Sequence, residues 1–120
     1  MKWQKPSQGI IETYERIIPD IPLVEKRKMF GYPCGFVNRN MFLGTFQESI
    51  FIRLSEPDRE EFLNLPDSKR FEPMPGRVMK EYVIVPPWLL EKNKELNSWI
   101  QKSLDYVSSL PPKTKKKKRK

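Results

Sequence analysis

Few side chains in this sequence could carry out covalent chemistry. Cys34 is the only thiol, and the chain contains no histidine. A nucleophilic cysteine needs a neighbouring base or positive charge to lower its pKa, and the nearest basic residue upstream is Lys28. The lack of histidine also rules out, within one chain, a Ser–His or Cys–His pair and a zinc site of His and Cys ligands. We therefore expect Cys34 to be a small, partly buried side chain in a turn, and we expect no catalytic residue, cofactor or metal.

Carboxylates are the other groups that could act as an acid or a base. Glu60, Glu61 and Glu81 are the candidates, but their positions are typical of charges on a helix surface and at a strand end. Gly31 and Gly35 do not have the spacing of a phosphate-binding loop. The sequence thus favours a non-catalytic binding or regulatory module. The alternative is a small carboxylate-dependent enzyme of unknown substrate.

The strongest feature of the composition is a basic C-terminal tail, residues 113–120. The tail contains seven of the 23 basic residues and none of the 15 acidic ones, so the rest of the chain has 16 basic residues and a net charge of +1, against +8 for the whole. A block of like charges with no apolar side is expected to be disordered. Its candidate polyanion-binding residues are Lys113, Lys115, Lys116, Lys117, Lys118, Arg119 and Lys120.

Such a tail binds polyanions, including nucleic acid, without sequence specificity, because Lys and Arg neutralise phosphates and release counterions. In a eukaryote the same run would indicate nuclear import, and a solubility tail with no dedicated partner is a third interpretation.

Two further groups of basic residues and one group of aromatic residues are weaker candidates for a binding surface. Residues 26–28 are interpreted as a solvated charged segment before a strand. A second basic group consists of Lys69, Arg70, Arg77 and Lys80. The acids Asp67, Glu72 and Glu81 are interleaved with it, so we expect it to attract anions only weakly. Four phenylalanines could stack on bases if exposed, but we favour core packing for them: Phe36, Phe42, Phe46 and Phe51.

The elements that must position these groups follow from periodicity. Apolar residues at helical spacing predict a first helix after Ser7 and a last helix that includes Leu96, Trp99 and Ile100. Short β-branched and aromatic runs separated by Asn- and Gly-containing turns predict a β-meander, and residues 67–80 are expected to be a loop. Ser55 and Pro57 are expected to start a helix that ends near Pro66.

These elements predict a two-layer α+β fold, an antiparallel β-sheet packed against helices in the order α-β-β-β-α-β-α. Residues 1–112 are expected to form one domain, with Pro111 and Pro112 marking the boundary to the tail. The expected core is Ile11, Tyr14, Ile18, Phe30, Phe42, Ile52, Phe62, Ile84, Trp99, Ile100 and Leu104.

The expected location is the cytoplasm, with Cys34 reduced. A single thiol cannot form an intrachain disulfide, and no apolar run approaches the ~20 residues of a membrane span. We therefore expect no membrane partner.

An ordered set of short motifs resembles one known family. The set begins at Lys28-Met29-Phe30-Gly31-Tyr32-Pro33-Cys34-Gly35, continues through Phe71-Glu72-Pro73-Met74-Pro75-Gly76-Arg77 and Tyr82-Val83-Ile84-Val85-Pro86, and ends at Ser98-Trp99-Ile100. It is similar to the N-terminal domain family of the TfoX/Sxy competence regulators over roughly residues 7 to 112, and most to its single-domain members. The resemblance implies a small two-layer α+β fold, no established enzymatic activity, and dimers. Together with Trp3 and Trp88, expected near the surface, it predicts a homodimer.

Overall fold

The computed structural model describes residues 7–29, 31–47, 49–74 and 76–111, and groups of strands lie between its helices along the chain. The helices are α1 (Gln8–Ile17), α2 (Glu56–Leu63), α3 (Pro87–Leu90) and α4 (Asn93–Ser108). The strands are β1 (Glu25–Met29), β2 (Tyr32–Val37), β3 (Asn40–Phe46), β4 (Ser49–Arg53), β5 (Lys69–Met74) and β6 (Arg77–Val85). None of the described helices combines the length and the apolar character needed to cross a membrane.

The six strands form one sheet in the order β1-β2-β3-β4-β6-β5, and all neighbouring strands are antiparallel. Short connections join β1 to β2, β2 to β3, β3 to β4 and β5 to β6, as antiparallel neighbours allow, whereas α2 and β5 lie between β4 and β6 in the sequence. The predicted α+β class with an antiparallel sheet packed against helices is confirmed.

The element order differs from the prediction at three places. The charged segment before the first predicted strand is exposed, as expected, but it is itself the edge strand β1. The predicted loop over residues 67–80 is instead a β-hairpin made of β5 and the start of β6. A four-residue helix, α3, was missed. Each missed element lacks the apolar alternation or length from which it could be recognised.

The first two helices start at the predicted serines. The Ser7 hydroxyl accepts a hydrogen bond from the Ile10 amide at 3.1 Å, which caps α1. Ser55 occupies the cap position of α2 without a capping hydrogen bond from its side chain, and Pro57 lies in the first turn. α2 ends at Leu63, near the predicted stop at Pro66.

The main core lies between the helices and one face of the sheet. It contains residues of all four helices, such as Tyr14, Phe62, Leu89 and Leu104, together with strand residues such as Phe42. Two buried hydrogen bonds join helices to strands: the Tyr14 hydroxyl donates to the Cys34 carbonyl at 2.9 Å, and the Ser103 hydroxyl donates to the Phe42 carbonyl at 3.0 Å. Burial raises the pKa of Tyr14 to about 12, so the hydroxyl remains a neutral donor at physiological pH.

The opposite face of the sheet carries a second buried group, which we call the aromatic layer. Phe51 points to this face because its neighbours Ile50 and Ile52 belong to the main core and strand side chains alternate. The rings of Phe51 and Phe71 stack at 4.3 Å, and the Phe46 ring meets the Phe71 ring at 5.5 Å. The aromatic layer consists of the buried Tyr32, Cys34, Phe36, Phe51 and Phe71 and the half-buried Phe46 and Tyr82.

The predicted core is largely confirmed. Seven of the expected residues are buried: Tyr14, Ile18, Phe42, Ile52, Phe62, Ile100 and Leu104. The prediction is wrong for Ile11, Ile84 and Trp99, which are only half-buried. Ile11 and Trp99 pack only in part against the main core. Ile84 is the cross-strand partner of Phe51, which places it on the opposite face of the sheet. Helical or strand periodicity does not distinguish the centre of a buried face from its edge. Phe30 lies outside the described residues.

Candidate functional site

The seven basic residues of the tail lie outside the described part of the chain, as does the proposed boundary at Pro112. The described chain ends at Pro111, whose carbonyl accepts a hydrogen bond from the Asn40 side-chain amide at 3.0 Å. Asn40 is the first residue of β3, so the last described residue, Pro111, lies beside the turn between β2 and β3.

The β2–β3 turn presents an arginine at this end of the sheet. Its two central residues, Asn38 and Arg39, have φ angles of 52° and 70°. Positive φ at both positions is the geometry of a type I′ hairpin turn, which matches the right-handed twist of the strands. This is one of the Asn-containing turns predicted for the β-meander, and it is confirmed. Arg39 is exposed and forms no ion pair with any described residue.

A half-buried ion pair lies at the same end of the sheet. The Arg53 Nε donates to Glu81 Oε1 at 2.7 Å, and the Arg53 guanidinium lies 5.6 Å from the Tyr82 ring centroid and 6.0 Å from that of Tyr106. Burial would lower the pKa of Arg53, but the hydrogen bond and charge of Glu81, together with Tyr82, outweigh it, and the pKa is raised. This cluster joins β4, β6 and α4, and it already satisfies the Glu81 carboxylate.

A cleft of about 380 Å³ lies between α2 and the β5–β6 hairpin. Charged side chains of both signs line it, together with Leu63: Glu56, Arg59, Glu60, Arg70, Lys80 and Glu81. Arg59 donates to the Leu54 carbonyl at 2.9 Å, which fixes its guanidinium at the start of α2. With three cations and three carboxylates, the lining has no net charge to attract a phosphate from a distance.

The carboxylates named from the sequence do not form a reactive pair. Glu60 and Glu61 are exposed on α2, and Glu81 is held by Arg53. Among the described residues, no group of three or more Cys, Asp or Glu side chains is placed to hold a metal ion.

Cys34 lies in the middle of β2, not in a turn, and it is 2 % exposed. The predicted position was wrong because Gly31, Pro33 and Gly35 suggested a bend, whereas the chain from Tyr32 onward pairs with both β1 and β3. Burial raises the pKa of the Cys34 thiol and outweighs the hydrogen bonds from the backbone of Thr45 and Met29, which would lower it. The thiol is therefore protonated at neutral pH, a poor state for a nucleophile.

We expect Cys34 to react with a thiol reagent only when the domain opens. Native protein should be modified on the order of a thousand-fold more slowly than protein in concentrated urea, because opening costs several kcal/mol. Rates measured with a chromogenic disulfide across a urea series would test this. A native rate equal to the unfolded rate would show that the thiol is accessible.

The aromatic side chains of the sheet are packed inside the molecule. Phe42 and Phe51 are 0 % and 3 % exposed, Phe36 is 9 % exposed, and Phe46 is half-buried against Tyr32 and Phe71. Core packing, the interpretation favoured by the sequence, is confirmed for these rings. Base stacking needs ring faces that are open to a ligand.

The other two basic groups named from the sequence lie at opposite ends of the strand order. Residues 26–28 lie on β1, whereas Lys69, Arg70 and Lys80 lie on the β5–β6 hairpin. Two of the three acids that are interleaved with the basic residues of this hairpin have partners of their own. Glu72 accepts a hydrogen bond from the Gly76 amide at 2.7 Å, and Glu81 forms an ion pair with Arg53. The side chain of Arg77 lies outside the described part of the structure.

Sequence reasoning missed Arg59 and Tyr106. Arg59 enters the cleft because α2 packs against β6, and Tyr106 reaches Arg53 because α4 crosses β4. Neither contact has a signal in the local sequence. Knowledge of the β4–β6 pairing, which places Arg53 beside Tyr82, would be needed to find them.

The described part of the chain is thus an α+β domain that offers surface charge, rather than a reactive buried group, to a ligand. The chain matches the family model of the TfoX N-terminal domain over residues 17–107. It belongs to this family, as the motifs indicated. No curated protein matches the chain significantly.

Proposed function

We propose that this protein is a non-catalytic binding module whose basic tail binds polyanions without sequence specificity. The observation that carries the proposal is the separation of charge: residues 113–120 carry seven positive charges and the rest of the chain only one net positive charge. Long-range attraction for phosphate therefore originates in the tail.

The position of Pro111, two residues before the tail in the sequence, supports this proposal. The Asn40 side-chain amide donates a hydrogen bond to the Pro111 carbonyl, so Pro111 lies beside the turn that exposes Arg39. Arg39 can therefore add one phosphate contact next to those of the tail. The tail contains no Asn, Gln or aromatic residue, which are side chains suited to reading base edges.

The test compares the full chain with a chain that ends at Pro112. We expect the full chain to bind mixed-sequence duplex DNA with a dissociation constant of about 10⁻⁴–10⁻⁶ M at physiological salt. If the seven basic side chains of the tail and Arg39 all contact phosphates, the slope of log K against log salt is about −7 for duplex DNA and about −6 for a single strand. Fluorescence anisotropy at several salt concentrations would measure both quantities.

The shortened chain should lose this binding while retaining its circular dichroism spectrum. An Arg39→Gln variant of the full chain should reduce the magnitude of the slope by about 1. Sequence-selective binding by the shortened chain would contradict the proposal and place the determinant on the folded surface. Absence of binding by either form would leave the tail a targeting or solubility element.

The non-catalytic part of the proposal has its own test. The full chain would be screened against phosphoesters, glycosides and acyl esters, with Glu81→Gln as the diagnostic variant, and we expect no turnover. Turnover that disappears in the variant would favour the carboxylate-dependent enzyme, which is the alternative function.

Homodimer formation is a separate proposal that rests on the family. Trp88, one of the two residues that suggested it, is half-buried, and its indole donates to the Pro66 carbonyl at 2.8 Å. Trp3 lies outside the described residues. A monomeric mass by light scattering at about 100 µM, well above a micromolar dissociation constant, would remove the proposal.

A further inference from the structure

β1 forms one edge of the sheet, and its outer side has no neighbouring strand in the described part of the chain. β1 is the first strand in the sheet order, so β2 pairs with only one of its sides, and all five of its residues are exposed. In an antiparallel edge strand, every second residue directs its N–H and C=O groups away from the neighbour. Among the described elements, none pairs with the outer side of β1.

Exposed apolar side chains are concentrated at this edge. Ile21, Leu23 and Met29 are 41 %, 47 % and 39 % exposed, and they are three of the four large exposed apolar residues in the described chain. We call residues 21–29 the β1 edge. Apolar side chains clustered beside an open strand are typical of an interaction surface.

The β1 edge is also positively charged. Lys26, Arg27 and Lys28 are consecutive, so their side chains project on both faces of the strand. Lys26 and Arg27 have acidic neighbours, Asp20 and Glu25, but both separations are 3.4 Å and all four side chains are about half exposed or more. Such exposed ion pairs contribute little to stability, so Lys26 and Arg27 can readily exchange these acids for the carboxylates of a ligand. Lys28 has no ion pair with any described residue.

We propose that the β1 edge binds an extended acidic peptide segment with interspersed apolar side chains, which pairs with β1 as a seventh strand. Backbone hydrogen bonds would hold the segment, its carboxylates would contact Lys26, Arg27 and Lys28, and its apolar side chains would cover Leu23 and Met29.

A second copy of this chain is a less suitable occupant. Antiparallel pairing of two β1 strands about Arg27 would place Lys26 of one copy opposite Lys28 of the other, and the two arginines opposite each other. Like charges directly opposite on paired strands are destabilising. The charges that discourage pairing with another such edge favour an acidic partner.

The test uses the isotope-labelled full chain and two peptides of about eight residues, the length of an ordinary strand. One is an end-blocked peptide of alternating Glu and Val, and the other has the same sequence with an N-methyl group on every backbone nitrogen. We expect the first peptide to shift the β1 amide resonances and slow their hydrogen exchange. The methylated peptide has the same charge but lacks the donors, so it should not protect β1.

Charge variants distinguish this surface from the basic tail, which is also expected to attract the peptide. A Lys26→Glu/Lys28→Glu double variant should weaken the β1 response about tenfold. The matched control, Lys92→Glu/Lys94→Glu, changes the same charge at exposed positions at the start of α4 and should leave the β1 response intact.

Several outcomes would overturn the proposal. Equal responses to the two peptides would show binding by charge alone. Peptide-induced shifts that leave residues 25–29 unchanged would also overturn it, as would protection of the β1 amides in a dimer without peptide, which would identify a second copy as the occupant. Because the readout is local to β1, it is independent of whether the tail binds nucleic acid.

Discussion

Replacing Phe62 with alanine is expected to lower the free energy of unfolding by about 3–5 kcal/mol, as is usual for a fully buried phenylalanine. Phe62 is 0 % exposed and is the only buried residue of α2. Its ring meets the Trp99 ring edge to face at 5.1 Å, so one side chain joins α2 to α4. A small domain has only about 5–15 kcal/mol of stability, and this loss is a large share of it.

The matched control is Trp99→Ala, which removes the other ring of the same contact. A fully buried Trp99, as expected from the sequence, would also give a loss of about 3–5 kcal/mol. Because Trp99 is half-buried, we expect a smaller loss than for Phe62→Ala. Urea unfolding of both variants would measure the difference. Equal losses, or a Phe62→Ala midpoint within error of the wild type, would contradict this account.

The fold class could be predicted from the sequence because the central elements have strong patterns. The run of β-branched and aromatic residues from Ile50 to Ile52 is typical of a strand, and Leu96, Ile100 and Leu104 have the spacing of one face of a helix. The edges of the sheet could not be predicted in the same way. β1 buries none of its five residues, so its sequence contains no apolar alternation, and it is a strand because β2 supplies its hydrogen bonds.

The charged groups also differ in how far the sequence predicts them. The tail was evident because seven like charges in eight residues are a property of sequence alone. The contact of Arg53 with Glu81 depends on the pairing of β4 with β6, which are separated in sequence by α2 and β5. Long-range pairing is set by tertiary packing, so local patterns do not reveal it.

Replacing Gly44 with alanine is expected to cost about 1–3 kcal/mol, because the aromatic layer leaves no room for a methyl group. A Cβ atom at Gly44 would lie 2.6 Å from Phe51 Cζ and 3.0 Å from Cys34 Sγ, whereas carbon atoms in contact are normally about 3.5–4.0 Å apart. The Phe51 ring cannot retreat easily, since it is 3 % exposed and stacked at 4.3 Å on Phe71.

Gly9→Ala is the matched control, and its effect should have the opposite sign. A Cβ atom at Gly9 would have Ser7 Oγ as its nearest neighbour at 3.9 Å, and the site is exposed in α1. Alanine is favoured over glycine in a helix by up to about 1 kcal/mol, so this variant should be slightly more stable. Urea unfolding would measure both variants. In a Gly44→Ala/Phe51→Leu double variant, the smaller leucine side chain should relieve the overlap. The loss of stability in the double variant should therefore be smaller than the sum of the losses in the two single variants. A Gly44→Ala variant as stable as the wild type, or additive losses in the double variant, would contradict this account. Either result would mean that the aromatic layer shifts freely around residue 44 and that the close packing of Phe51 on this glycine does not stabilise that face of the sheet.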